Sequence, residues 1–64
     1  MNGPMLIVGT DTIAQTFWDR GEAHDLVKEL GSDPIMVKVG DDEERDLDQR
    51  GAHRAIEKLW RANS

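Results

Sequence analysis

The 64-residue chain contains no cysteine, and this absence excludes several kinds of protein. Disulfide frameworks, thiolate zinc sites and cysteine nucleophiles all need that residue. Long apolar stretches are also lacking, because the longest run, Met5-Leu6-Ile7-Val8, is far shorter than a membrane span or a signal-peptide core. We therefore expect a cytoplasmic protein that has no membrane contact and holds no cofactor or metal.

Positive charge is scarce as well. Eight Lys and Arg residues stand against thirteen Asp and Glu residues, for a formal net charge of −5. An acidic chain is repelled by phosphate backbones, so nucleic acid is disfavoured as a general partner. The acidic surface is interpreted first as a source of solubility, and second as a surface that docks on a basic partner or imitates nucleic acid.

The short length limits the chain to one domain, since a core of this size only just offsets the entropy of the unfolded chain. Residues 1 to 4 are polar and rich in helix and strand breakers, and we predict that they form a flexible tail. Residues 5 to 64 are then a single small α+β domain. Oligomerisation or a bound partner would add stability at this size.

The first part of the chain predicts a β-hairpin. Residues 5 to 8 are β-prone and end at Gly9, where turn chemistry follows. Residues 12 to 18 share no helical apolar face with the residues after them, but they alternate with a period of two. This alternation predicts a second strand with two faces, Ile13 and Phe17 on one and Ala14, Thr16 and Trp18 on the other.

A helix is predicted directly after this hairpin. Asp19 and Glu22 have the spacing of a capping box, with Asp19 as the N-cap. Gly31 stands where a left-handed C-cap is expected. Between these two signals the apolar residues recur at helical spacing and share one face, namely Ala23, Leu26, Val27 and Leu30.

The second half of the chain predicts a strand and a helix separated by an acidic loop. Ile35, Val37 and Val39 alternate with other residues and are expected to face inward. Residues 40 to 48 form a dense acidic stretch, and a helix over roughly 46 to 62, capped by Asp46 or Asp48, carries Ala52, Ala55, Ile56, Leu59 and Trp60 on one side. The predicted fold is a three-stranded, mainly antiparallel sheet with two helices, in the order β-β-α-β-α.

Three groups of residues invite a chemical interpretation, but each has a simpler one. The turn from Gly9 to Thr12 lacks the glycine spacing of phosphate-binding loops. The acidic stretch from Asp41 to Asp48 lacks the ligand order of an EF-hand and favours a solvated acidic cap. His24 and His53 form no histidine pair at metal-ligand spacing. We therefore predict no catalytic, cofactor-binding or metal-binding residue.

The predicted partner-binding residues are two tryptophans and a basic stripe on the last helix. Trp18 and Trp60 are each interpreted as a lid on the core or as an interface anchor. The stripe either pairs with Glu57 and the acidic loop, or contacts an acidic partner or a phosphate. Its members are Arg50, Arg54 and Arg61.

These features favour a non-enzymatic protein-protein interaction module, because so short a chain leaves little volume for a pocket. The partner is expected to be another protein or a second copy, giving a homodimer. A phage-encoded or accessory modulator of a larger host protein would have this size. Two alternatives stay open: a nucleic-acid-associated regulator that uses the basic stripe, and a small-ligand or metal-binding domain.

Overall fold

The computed structural model of the protein describes residues 4–63. Of the predicted tail, only Pro4 lies within this range, and the other three residues lie outside it. Within the range the chain forms four strands and two helices, which follow one another as β1 (Leu6–Gly9), β2 (Ala14–Phe17), α1 (Arg20–Glu29), β3 (Ile35–Val39), β4 (Asp42–Leu47) and α2 (Gln49–Asn63).

The strands form one antiparallel sheet in the order β2-β1-β3-β4. Consecutive strands pair as the hairpins β1-β2 and β3-β4, and α1 leads from the β2 edge to the far side of β1. The predicted α+β class, with two helices and an antiparallel sheet, is confirmed. The predicted number of three strands is wrong, and the element order is β-β-α-β-β-α.

The additional strand, β4, occupies the stretch that the acidic composition predicts to be a loop. Aspartate and glutamate are poor strand formers, so local preference does not explain it. Pairing with β3 explains the strand instead, because a two-residue turn joins Val39 of β3 to Asp42 of β4, and these two residues pair with each other. Gly40 takes a positive φ of 58°, which suits the first central position of such a turn.

A bulge interrupts β4 before α2 begins. The three residues of β3 from Ile35 to Val37 face the four residues of β4 from Glu44 to Leu47, and Asp46 adopts a left-handed φ of 58°. The predicted helix start at residue 46 is therefore wrong by three residues. The alternative cap, Asp48, is confirmed, because its Oδ1 accepts a hydrogen bond from the Gly51 amide at 2.6 Å.

The predicted hairpin and the predicted N-cap of α1 at Asp19 are present, but the second strand is shorter than the predicted residues 12 to 18. Residues 14 to 17 form a strand, and α1 begins at Arg20. Asp19 is the N-cap, and its Oδ1 accepts a hydrogen bond from the Gly21 amide at 2.7 Å. At the other end Gly31 has the expected left-handed φ of 66°.

Both helices lie on the same face of the sheet. Alternate side chains of β1 and β3 point toward them, as the period of two requires. The two helices also contact each other, so one core forms between the sheet and the helix layer. Its fully or nearly fully buried members are Leu6, Val8, Ala23, Val27, Ile35, Val37, Val39, Ala52, Ala55, Ile56 and Leu59.

The α1 face is buried less completely than its sequence pattern suggests. Leu26 is only partly buried at the border of the core, whereas Leu59 of α2 is 6% exposed. We expect Leu59→Ala to lower the free energy of unfolding by about 2–5 kcal/mol, because it leaves a cavity in the core. Leu26→Ala should lower the free energy of unfolding by a smaller amount. Urea unfolding of both variants measures the difference, and equal losses would contradict this burial.

Gly9 lies where the β1-β2 hairpin leaves no room for a side chain. A Cβ atom at this position would stand 2.0 Å from the Ile13 carbonyl oxygen and 2.6 Å from the Ala14 Cα. These are backbone atoms and cannot move aside without opening the hairpin. We expect Gly9→Ala to destabilise the protein by about 1–3 kcal/mol or more.

Gly21→Ala is the matched control for this substitution. Its Cβ atom would meet only the flexible side chain of Asp19, at 3.3 Å. An alanine inside a helix also restricts the unfolded chain, so this variant should be neutral or more stable by about 0.4–1 kcal/mol. If both variants melt alike, the close approach at Gly9 is wrong.

Candidate functional site

The face of the sheet turned away from the helices is a candidate interaction surface, and we call it the open face. No helix or strand within residues 4–63 covers it. Its apolar part lies on the first three strands and the residues next to them, with Met5, Ile7, Trp18 and Met36. Its charged part lies on β3 and β4, with Lys38, Glu43 and Arg45.

The apolar part of the open face forms a continuous area at the β1-β2 side. Leu6 pairs with Phe17, so the next residues along, Met5 and Trp18, stand side by side. Their exposed fractions are 43% and 58%. Ile7 and Met36, on the central strands, are half-buried by their neighbours. Exposed apolar side chains that lie next to each other, unlike single ones, are typical of protein interaction surfaces.

The charged part of the open face is internally paired. Lys38 lies opposite Glu43 in the β3-β4 register. Arg45, two residues further along β4, forms an ion pair with the Glu43 carboxylate. This carboxylate raises the pKa of Arg45, first by accepting its hydrogen bond and then by its charge. The charged part is therefore an oriented set of polar groups beside the apolar one.

The two tryptophans occupy different environments. Trp18 is largely exposed on the open face. Trp60 belongs to α2, is half-buried against the core, and lies under the Arg20 guanidinium, whose carbon is 5.5 Å from the ring centroid. Of the two predicted interpretations, the environment of Trp60 is that of a lid on the core. Trp18 remains the candidate interface anchor.

The predicted basic stripe is exposed along α2, with its three arginines at positions 50, 54 and 61. It does not lie next to the open face, because α2 covers the opposite side of the sheet. Two of its suggested acidic partners, Glu57 and Glu44, each contact another basic residue. Glu57 accepts a hydrogen bond from Arg20 at 2.7 Å, and Glu44 of β4 forms an ion pair with Lys58 at 3.0 Å.

A polar network joins the two helices on their outer side. His24 Nε2 lies 2.7 Å from Glu57 Oε2, and Arg20 holds the other carboxylate oxygen. The Nδ1 atoms of His24 and His53 are 2.7 Å apart. At that distance one Nδ1 must donate a proton and the other must accept it. We call Arg20, His24, His53 and Glu57 the histidine network.

The positions of His24 and His53 alone do not predict the histidine network, because the two residues lie far apart in the sequence. The signal lies in pairs, since Arg20 and His24 are four residues apart on α1, and His53 and Glu57 are four residues apart on α2. Residues at this spacing share one side of a helix. Each pair borders the apolar face of its own helix, so packing of the two faces brings the pairs together.

A shallow cleft lies at the end of the sheet that holds the Thr10 turn. Its volume is about 280 Å³, and the β4 bulge at Arg45 and Asp46 forms another wall. The turn and the acidic stretch, which the sequence offers as separate candidates for a ligand, therefore meet in one place. The cleft is nevertheless open and smaller than the common range for small-molecule sites, about 300–1,000 Å³.

No family model, curated protein or solved structure matches this chain. Any function must therefore be inferred from the surfaces themselves. Among residues 4–63, no three His, Asp or Glu side chains are placed to hold a metal ion together. Neither helix in that range is long and apolar enough to cross a membrane.

The histidine network makes stability depend on pH in a defined direction. Burial lowers the pKa of His53, and the neighbouring His24 and Lys28 lower it further. The hydrogen bond from His24 lowers the pKa of Glu57. Both groups bind a proton more readily in the unfolded chain, so acid favours unfolding.

We expect the contribution of His53 to the free energy of unfolding to be complete above about pH 6.5, the ordinary histidine pKa. This contribution should be lost as the pH falls through the lowered pKa of His53 in the folded protein. Thermal unfolding between about pH 8 and pH 5 measures this loss. His53→Asn should flatten the profile, because its amide can donate to His24 but does not titrate. Arg54→Ala should leave the profile unchanged. An equally steep profile for His53→Asn would contradict the assignment.

Proposed function

We propose that this protein is a non-enzymatic protein-protein interaction module that binds another protein through its open face, with Trp18 as the anchor. The observation that carries the proposal is the 58% exposure of Trp18 beside the 43% exposed Met5. Aromatic residues and methionine are enriched in protein interfaces. A tryptophan costs less conformational entropy to immobilise than a long flexible side chain.

The position of Trp18 in the fold supports this role. It lies between the last residue of β2 and the cap of α1 at Asp19, so paired strand and capped helix hold its backbone from both sides. Binding then orders little more than the side chain itself. A rigid apolar area retains more of its burial energy as affinity than a mobile loop does.

The charged part of the open face supports specificity. Lys38, Glu43 and Arg45 lie on the neighbouring strands, at the border of the apolar area. Charges at the border of an interface steer association and reject partners of the wrong polarity, while adding little to affinity. The partner expected here carries an apolar pocket for Trp18 and a polar border.

An enzymatic function has less support. The histidine network uses both ring nitrogens of His24 within the network itself. Chemistry would need these groups to face a bound substrate. The shallow cleft lies at the turn end of the sheet and is not lined by either histidine.

The test compares partner capture by Trp18→Ala and Arg54→Ala, with a photo-crosslinking residue placed at Met36, which lies on the open face of the inner strand β3 and away from the β2 edge. Truncating an interface anchor costs about 2 kcal/mol or more, which is about a thirtyfold loss of affinity. Trp18→Ala should therefore lose its crosslinked partner, and Arg54→Ala should retain it. Circular dichroism spectra must show that both variants are folded.

The opposite result favours the nucleic-acid alternative. Arg50 and Arg54 are exposed on α2, on the far side of the molecule from Trp18. If Arg54→Ala alone abolishes function, and binding to a phosphate-rich partner weakens steeply with salt, the basic stripe is the functional surface. Retention of the partner by Trp18→Ala would overturn the proposal.

A further inference from the structure

The two outer strands of the sheet differ in how they resist pairing with another chain. An outer strand presents unpaired backbone groups, and proteins commonly protect it with charges or a bulge. β4 has both, since five of its six residues are charged and Asp46 forms the bulge. At the other side of the sheet, β2 has neither of these protections.

The β2 strand and its flanks carry no charge from Thr12 to Trp18. Three of the four β2 residues are exposed, and only Phe17 is partly buried. The pairing of β2 with β1 is regular through all four residue pairs, and the segment contains no proline. Beside β2, Ile13 is 50% exposed. The edge is therefore open, regular and neutral.

The hairpin register tells which backbone groups of β2 point outward. The Thr10 amide donates to the Ile13 carbonyl, so this pair is hydrogen-bonded. Hydrogen-bonded and non-bonded pairs alternate along an antiparallel ladder. The Ala14 and Thr16 pairs are then non-bonded, and the N–H and C=O groups of Ala14 and Thr16 point to the outer side.

We propose that β2 pairs with β2 of a second copy of this chain, antiparallel and about a two-fold axis at Gln15. In this register Ala14 lies opposite the partner's Thr16, and Thr16 lies opposite the partner's Ala14. All four outward backbone groups of each strand segment find a hydrogen-bonding partner. The two sheets become one sheet of eight strands, with both open faces on the same side.

The self-complementarity of β2 favours a second copy as the occupant. Two chains of net charge −5 repel one another overall, so a contact between copies needs facing surfaces that add no like-charge pairs. Antiparallel pairing of β2 with itself places only neutral side chains opposite each other from Thr12 to Trp18, so like charges do not meet within this segment. It also places the exposed Ile13 beside the partner's Phe17, which buries apolar surface on the helix side of the sheet.

This proposal is separate from the proposed function, because it uses the outer backbone groups of β2 and not the Trp18 side chain. The pairing of two short strands is a modest contact. The dimer is therefore a concentration-dependent equilibrium, and sedimentation velocity over a dilution series of the full chain measures it.

Opposite charges at Gln15 provide the decisive test. Gln15 is exposed, so Gln15→Lys and Gln15→Glu should leave the fold intact. Each substitution places like charges opposite each other across the axis and should weaken the dimer at least about tenfold. Mixing the two variants should restore dimers, because the charges then attract. Ser32→Lys, at an exposed turn, is the charge-matched control and should dimerise normally.

A cysteine at the same position tests the register. Residues in a non-bonded antiparallel pair have Cα atoms about 4.5 Å apart, which a disulfide can span. Because the chain has no other cysteine, Gln15→Cys should give a disulfide-linked dimer under mild oxidation, and Lys28→Cys on exposed α1 should not. A wild-type monomer at the highest soluble concentration, or dimerisation unaffected by Gln15→Lys, would overturn the proposal.

Discussion

The packing of both helices against one face of the sheet determines most of what this molecule can do. The buried side chains of β1 and β3, such as Val8 and Val37, and those of both helices belong to one core. Residues 4–63 contain no third helix that could lie on the other side. The open face and the outer strands are direct consequences, since the elements that would cover them are all on the opposite side.

Small residues bring the two helices close together within this layer. Ala23 of α1 and Ala52 and Ala55 of α2 are fully or nearly fully buried. Short side chains allow helices to approach closely, and the larger polar residues at the border then meet across the gap. The contact between His24 and His53 follows from this approach. Its dependence on protonation means that the border of the core, and not its centre, responds to acid.

The sequence was informative where local pattern and tertiary packing agree. The cap at Asp19, the left-handed Gly31 and the alternation of β3 each determine local backbone structure, and each was predictable. The strand β4 was not predictable in this way, because its residues are poor strand formers and only pairing with β3 makes them extended. One signal was available, since a Gly-Asp pair such as Gly40-Asp41 is typical of two-residue hairpin turns.

The features of the candidate site also differ in how far the sequence predicts them. The period of two places Trp18 on the strand face opposite Phe17, but its exposure depends on both helices packing on the other face, which the sequence does not specify. The environment of the other tryptophan, Trp60, could not be predicted from the sequence, because the guanidinium above its ring comes from Arg20 on the other helix. The histidine network likewise joins residues 29 positions apart. Contacts of this kind depend on how the helices pack, which no single helical pattern specifies.

The two proposed surfaces are geometrically compatible. A two-fold axis perpendicular to the sheet keeps both open faces on one side, so the Trp18 side chains of the pair point the same way. In the proposed register Trp18 lies opposite the partner's Thr12, which places the two tryptophans six residues apart along the strands, or about 20 Å. A partner that presents two pockets at that spacing would gain affinity from simultaneous binding. Self-pairing through β2 would then strengthen partner binding without adding any contact to either open face.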